Sequence, residues 1–160
     1  TLDWWANCSG VTGSPFDSWQ TLRGLRTLSA RMDVQESNAV AIARFLKKHK
    51  SVKEVYYPGL RSDPGHKLMK AQQSGPGAML SFEVESPDIA AKLLNTIGIF
   101  RLATSLGGVE SLICQPSTMT HGGMAEEARL AAGITDNLLR LSVGMEAESD
   151  LINALSKNLP

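Results

Sequence analysis

Apolar residues recur at helical intervals over much of the first third of the chain. Trp19, Leu22, Leu25, Leu28 and Met32 share one stripe, and Ala39, Ile42, Ala43 and Leu46 repeat the i, i+3, i+4, i+7 spacing of a helix face. Ser14-Pro15-Phe16-Asp17 predicts the start, with Ser14 as N-cap, Pro15 in the first turn and Asp17 as the capping acid. Gly24 marks an expected break between two helices. Val52 to Tyr57 predicts a short strand stopped by Pro58-Gly59, and a short helix follows from about His66 to Gln73. Beyond the turn Gly75-Pro76-Gly77 the period changes to two. Ala78, Leu80, Phe82 and Val84 point one way, and Met79, Ser81 and Glu83 the other.

Ser86-Pro87 opens another helix by the same cap logic, carrying Ile89, Ala90, Leu93 and Leu94. Phe100–Ala103 and Leu112–Gln115 predict strands on either side of the turn-rich Ser105-Leu106-Gly107-Gly108. Ala125–Ala132 predicts a helix stopped by Gly133. Leu138–Val143 alternates again, and Leu151, Ile152, Leu155 and Leu159 mark a last helix. The expected architecture is one α+β domain over residues 1–160. A long helical segment precedes a small, largely antiparallel or mixed sheet with helices packed on one side.

Composition narrows the function classes. The chain has 160 residues, 42% hydrophobic and 20% charged, an ordinary balance for one domain. Lysine plus arginine equals aspartate plus glutamate at 16 each, so the basic excess of a nucleic-acid partner is absent. No apolar run approaches the roughly 20 residues of a membrane span. Cys8 and Cys114 stand far apart with no CxxC spacing, which suits reduced thiols in a cytoplasmic protein, a single disulfide between them being the alternative. His49, His66 and His121 are scattered, so no metal set is expected. Thr1-Leu2-Asp3-Trp4-Trp5-Ala6-Asn7 has no initiator Met and suggests the interior of a longer protein. Trp19, at helical spacing, is expected in the core, and Trp4-Trp5 against a neighbouring domain or subunit.

Arg140 is the residue that most invites a chemical reading. It interrupts Leu138-Leu139-Arg140-Leu141-Ser142-Val143, and alternation puts Leu139, Leu141 and Val143 on the face away from it. A guanidinium on such a strand is costly without a partner, and its fork matches a carboxylate. The partner is either a ligand carboxylate or an internal Asp or Glu, the latter being the commoner case. The loop Thr104-Ser105-Leu106-Gly107-Gly108-Val109-Glu110-Ser111 offers hydroxyls and backbone N–H groups that suit an anion, or is an ordinary polar turn. His121, beside Thr120, Gly122 and Gly123, reads more readily as structural than as a general base.

Taken in order, several segments resemble the Cys/Met-metabolism pyridoxal-phosphate family. They are Arg23-Gly24-Leu25-Arg26-Thr27-Leu28, Arg31-Met32, Asn38-Ala39, Val55-Tyr56-Tyr57-Pro58-Gly59-Leu60 and Gly77-Ala78-Met79-Leu80-Ser81-Phe82. Ser105–Leu112, Met119-Thr120-His121, Gly133-Ile134 and Arg140-Leu141-Ser142-Val143-Gly144 complete the set. Trp4-Trp5-Ala6-Asn7 with Gly10-Val11-Thr12-Gly13 is most similar to the cystathionine γ-synthase branch.

The resemblance implies a C-terminal domain that closes the active site and grips an amino-acid substrate. An N-terminal domain, absent from this sequence, would carry pyridoxal 5'-phosphate on a Schiff-base lysine, so neither a catalytic residue nor a cofactor contact is expected here. The implied substrate-binding residues are Arg140 for the α-carboxylate, Ser105 beside it, Thr104, and Thr120 near the substrate channel. Thr104 departs from the glutamate common at that position. The implied reaction of the intact parent is γ-replacement, making cystathionine from an O-acylhomoserine, the O-succinyl ester foremost, and cysteine in methionine biosynthesis. A homoserine-ester sulfhydrylase or a γ-lyase is the sibling reading, and a stand-alone binding module without catalysis the reading from another class. The resemblance further implies a cytoplasmic homo-oligomer, a tetramer built as a dimer of dimers, with no nucleic-acid or membrane partner.

Overall fold

A helix that the sequence pattern did not predict, α1 (Leu2–Ser9), opens the chain. The computed structural model describes residues 1–11 and 13–160. Its second helix, α2 (Pro15–Leu25), starts as expected: the Ser14 hydroxyl accepts from the Asp17 backbone N–H at 3.1 Å. After a short break comes α3 (Leu28–Leu46). Arg31 reaches back to the break, donating from Nη2 to the Gly24 carbonyl at 2.8 Å.

The residues fall into two compact units, Thr1–Arg31 and Met32–Pro160. Neither α1 nor α2 in the first unit buries a residue. Trp19 was expected in the core, yet it is 52% exposed. Its ring partners are local, with Phe16 at 6.0 Å between ring centroids and the Arg23 guanidinium 5.6 Å from its ring. Helical periodicity marks which side of a helix is apolar and is silent on what covers it.

The second unit is built on a five-stranded sheet in the order β1-β2-β5-β4-β3. Its strands are β1 (Val52–Tyr56), β2 (Met79–Val84), β3 (Arg101–Leu102), β4 (Leu112–Cys114) and β5 (Leu138–Ser142). The pairings are antiparallel except β3 with β4, so the sheet is mixed. Helices α4 (His66–Gln72), α5 (Pro87–Thr96), α6 (Glu126–Ala131) and α7 (Glu148–Asn158) complete the fold. The α+β expectation therefore holds.

The core lies on one face of the sheet. Leu80, Phe82, Ile113, Leu139, Leu141 and Val143 pack there with Ala39, Ile42 and Leu46 of α3, Leu93 of α5, and Leu151 and Leu155 of α7. Tyr57 is fully buried and donates its hydroxyl proton to the Gly77 carbonyl at 2.8 Å. This links the end of β1 to the turn before β2. The opposite face carries Ser81, Glu83, Arg140, Ser142 and Cys114, so the alternation in β2 and β5 assigns faces correctly. Among the described residues no helix is long and apolar enough to cross a membrane, and no cluster of His, Cys, Asp and Glu could hold a metal ion.

Candidate functional site

Arg140 sits at the middle of the sheet, opposite Ser81 of β2 on one side and Cys114 of β4 on the other. Both neighbours are short, and Arg140 itself is half-buried. Burial pushes the Cys114 thiol up, and the nearby Arg140 charge offsets this only in part. Cys114 is thus a protonated, buried neighbour of the arginine.

The bonds that Arg140 makes, and one that it lacks, define the site. Its Nη2 donates to the carbonyl oxygens of Thr104 at 2.8 Å and Ser105 at 3.2 Å. Among the described residues no carboxylate lies within 4.0 Å of its guanidinium, the only ion pairs being Lys47–Glu54, Lys53–Glu83 and Arg129–Asp136. The internal salt bridge that competed in the sequence is therefore not formed. Among the described residues the guanidinium makes no other hydrogen bond to protein beyond its contact with the Cys114 thiol. A guanidinium with no carboxylate partner keeps donors able to pair with an anion.

The loop that supplies those carbonyls is fastened along its length. Gly107, at φ +77°, donates its N–H to Ser142 Oγ at 2.9 Å. Ser142 follows Arg140 by two positions on the same face of β5. Gln35 of α3 donates from Nε2 to the Gly108 carbonyl at 2.6 Å. Asn38, one turn further along α3, donates from Nδ2 to the carbonyls of Gly144 at 3.1 Å and Glu146 at 2.9 Å. Met145 donates its N–H to the Val109 carbonyl at 2.8 Å. The loop end, Ser111, is fully buried. Glu146 accepts from its N–H at 2.7 Å and its hydroxyl at 2.8 Å, while Ser111 Oγ accepts from the Gly144 N–H at 2.8 Å.

The predicted site residues thus separate. Arg140, Thr104 and Ser105 come together, but Thr104 and Ser105 contribute backbone carbonyls to the arginine. The Ser105 hydroxyl has no hydrogen-bonded protein partner among the described residues and stays exposed. Thr120 bonds locally to His121 Nδ1 at 2.8 Å, and among the described residues no hydrogen bond links it to the other three. Gln35, Ser142 and Glu146 were not singled out from the sequence. Their partners lie 35 to 73 positions away, and no local pattern advertises such pairs.

All eight lysines are exposed, and two of them form the surface pairs Lys47–Glu54 and Lys53–Glu83. A Schiff-base lysine works from a walled pocket beside its cofactor.

Comparison with known proteins assigns the chain to a family. The model of the Cys/Met metabolism PLP-dependent enzyme family matches residues 1–160, and the chain belongs to that family of pyridoxal-phosphate enzymes. Cystathionine gamma-synthase of Escherichia coli strain K12 is 52% identical over 152 residues, covering 94% of this chain and 39% of that protein. Cystathionine beta-lyase of Lactococcus lactis strain MG1363 is 46% identical over 153 residues, covering 96% of this chain and 40% of that protein. The crystal structure of cystathionine gamma synthase from Xanthomonas oryzae pv. oryzae in complex with aminoacrylate and cysteine superposes with a TM-score of 0.91 at 54% identity. It covers 98% of this chain and 41% of that one. The chain spans about two fifths of the length of the curated relatives it matches.

Proposed function

We propose that this chain is the C-terminal, substrate-gripping part of a pyridoxal-phosphate-dependent transferase. The transferase makes cystathionine from an O-acylhomoserine, the O-succinyl ester foremost, and cysteine. The observation that carries the reading is Arg140: it is central on β5, oriented by two backbone carbonyls, and within 4.0 Å of no carboxylate among the described residues. A substrate α-carboxylate completes its fork. Fixing the carboxylate at one point orients the rest of an amino acid relative to the groups that react with it. The Ser105 hydroxyl is exposed beside that point and supplies a further donor. Thr120 lines the approach. The cofactor supplies an electron sink, and the lysine that holds it belongs to the remainder of the parent. The parent works as a cytoplasmic homo-oligomer.

A sibling reaction on the same scaffold is the second reading, a lyase or a sulfhydrylase. One observation favours it: Thr104, where the resemblance implies that the synthase pattern commonly has glutamate. Assay of the intact parent separates the two. With O-succinylhomoserine and cysteine the synthase forms cystathionine. If the parent forms none, but cleaves added cystathionine or uses only sulfide, the synthase assignment is wrong.

A further inference from the structure

The three residues that follow β5 by two to four positions knit the substrate loop to the strand that carries Arg140. Gly144 donates to Ser111 Oγ, Met145 donates to the Val109 carbonyl, and Glu146 takes both Ser111 donors. Ser111 needs such a partner. It is 0% exposed, with an N–H and an O–H that would otherwise lack acceptors, and a carboxylate is the side chain with two acceptor oxygens to meet both. Closing the loop at Ser111 fixes one end of the segment Thr104–Ser111. Its other end meets Arg140 through the Thr104 and Ser105 carbonyls.

We infer that Glu146 is a positioning residue for the carboxylate site. It acts through Ser111 on the loop whose carbonyls aim the Arg140 guanidinium. The inference rests on the carboxylate reading of Arg140. Glu146 does not touch the ligand. Its side chain engages Ser111, while Asn38 holds its backbone carbonyl from α3 at 2.9 Å. Losing this clamp frees the carbonyls to drift and lets the arginine adopt rotamers that miss the ligand. Substrate affinity then suffers more than overall folding, because Gln35, Asn38 and Ser142 still fasten the loop and its neighbouring turn.

The test is a double-mutant cycle in the intact parent enzyme: Glu146→Gln, Arg140→Ala and the pair, each measured for KM, kcat and Tm. Glu146→Gln keeps the shape and one acceptor but loses the second. In the Arg140 background it raises KM for the amino-acid substrate about tenfold, with a smaller effect on kcat, as the loss of one charged hydrogen bond predicts. In the Arg140→Ala background the same change moves KM less than about twofold, since there is no guanidinium left to aim. An unchanged KM for Glu146→Gln, or equal factors in both backgrounds, overturns the inference and leaves Glu146 as structural glue. If instead Arg140→Ala alone leaves KM unchanged, the carboxylate reading itself has failed. Should Glu146→Gln not accumulate as folded protein, Ser111→Ala serves in the same cycle. It removes one of the two donors, and the same two results decide.

Discussion

Gly144 donates its backbone N–H to Ser111 Oγ at 2.8 Å, and the two backbones meet so closely that no side chain fits at position 144. A Cβ built there would stand 2.5 Å from the Ser111 nitrogen and 2.5 Å from the Glu110 carbonyl carbon. Because both are backbone atoms, relief requires moving the loop. Gly144→Ala is therefore expected to destabilise the protein by about 1–3 kcal/mol. Thermal unfolding checks this, each 1 kcal/mol lowering Tm by about 2–4 °C in a domain of this size. An unchanged Tm would mean that the loop can retreat without cost.

Replacing Arg140 separates charge from shape. In the intact parent, Arg140→Ala is expected to lower kcat/KM for the amino-acid substrate about 10- to 150-fold, the worth of one charged hydrogen bond pattern. Arg140→Lys keeps the positive charge but has no planar fork, so most of the loss should remain. Steady-state kinetics against a substrate analogue without its α-carboxylate completes the comparison. For that analogue wild type and both variants should perform alike.

Tyr57 offers a measurement remote from the site. Its buried hydroxyl bonds to the Gly77 carbonyl, and Tyr57→Phe should cost about 1 kcal/mol by denaturant titration. Burial, and then the charge of Glu36, raise the phenol above its ordinary value of 10.0. The folded state thus holds a proton that the unfolded chain releases. This contribution is present below the unfolded value and is lost as pH rises from about 10 through the raised folded value. The stability gap between wild type and Tyr57→Phe should therefore shrink in strong alkali.

The acid side has the opposite sign. The Lys47 ammonium holds the Glu54 carboxyl below its ordinary value of 4.5, with the Val55 N–H assisting. For Asp136 the nearby Ser117 hydroxyl is the larger cause and Arg129 the smaller, although Ser117 Oγ lies outside hydrogen-bond geometry of any acceptor among the described residues. A lowered folded value contributes stability that is present above the unfolded value and lost as pH falls through the folded one. Glu54→Gln should cost at most about 1 kcal/mol at neutral pH, because the pair is exposed. Below pH ~4 the variant and wild-type Tm values should converge, and added salt should reduce the neutral difference.

The elements that were legible in the sequence are those whose signal is local. Ser14 and Ser86 announce helices because a hydroxyl before Pro can satisfy a free N–H of the first turn, and both do so. β2 and β5 announce their faces because a half-buried strand alternates. Arg140 stood out because ionic groups are rare in such strands. What stayed hidden depends on distant pairing. The first unit's apolar stripe gave no clue that Trp19 would lie open. Gln35 and Glu146 read as ordinary helix and loop polarity until the fold brought Gly108 and Ser111 to them. Thr104 and Ser105 were noticed for their side chains, and the arginine uses their carbonyls.

That use of main-chain oxygen leaves an evolutionary opening. Every residue type carries the same carbonyl, so the grip on Arg140 is indifferent to which side chains occupy positions 104 and 105. On the proposed role of Arg140, those side chains can be exchanged to suit whatever extends beyond a carboxylate handle. One anchor can then be inherited unchanged while selectivity for the rest of the molecule diverges around it.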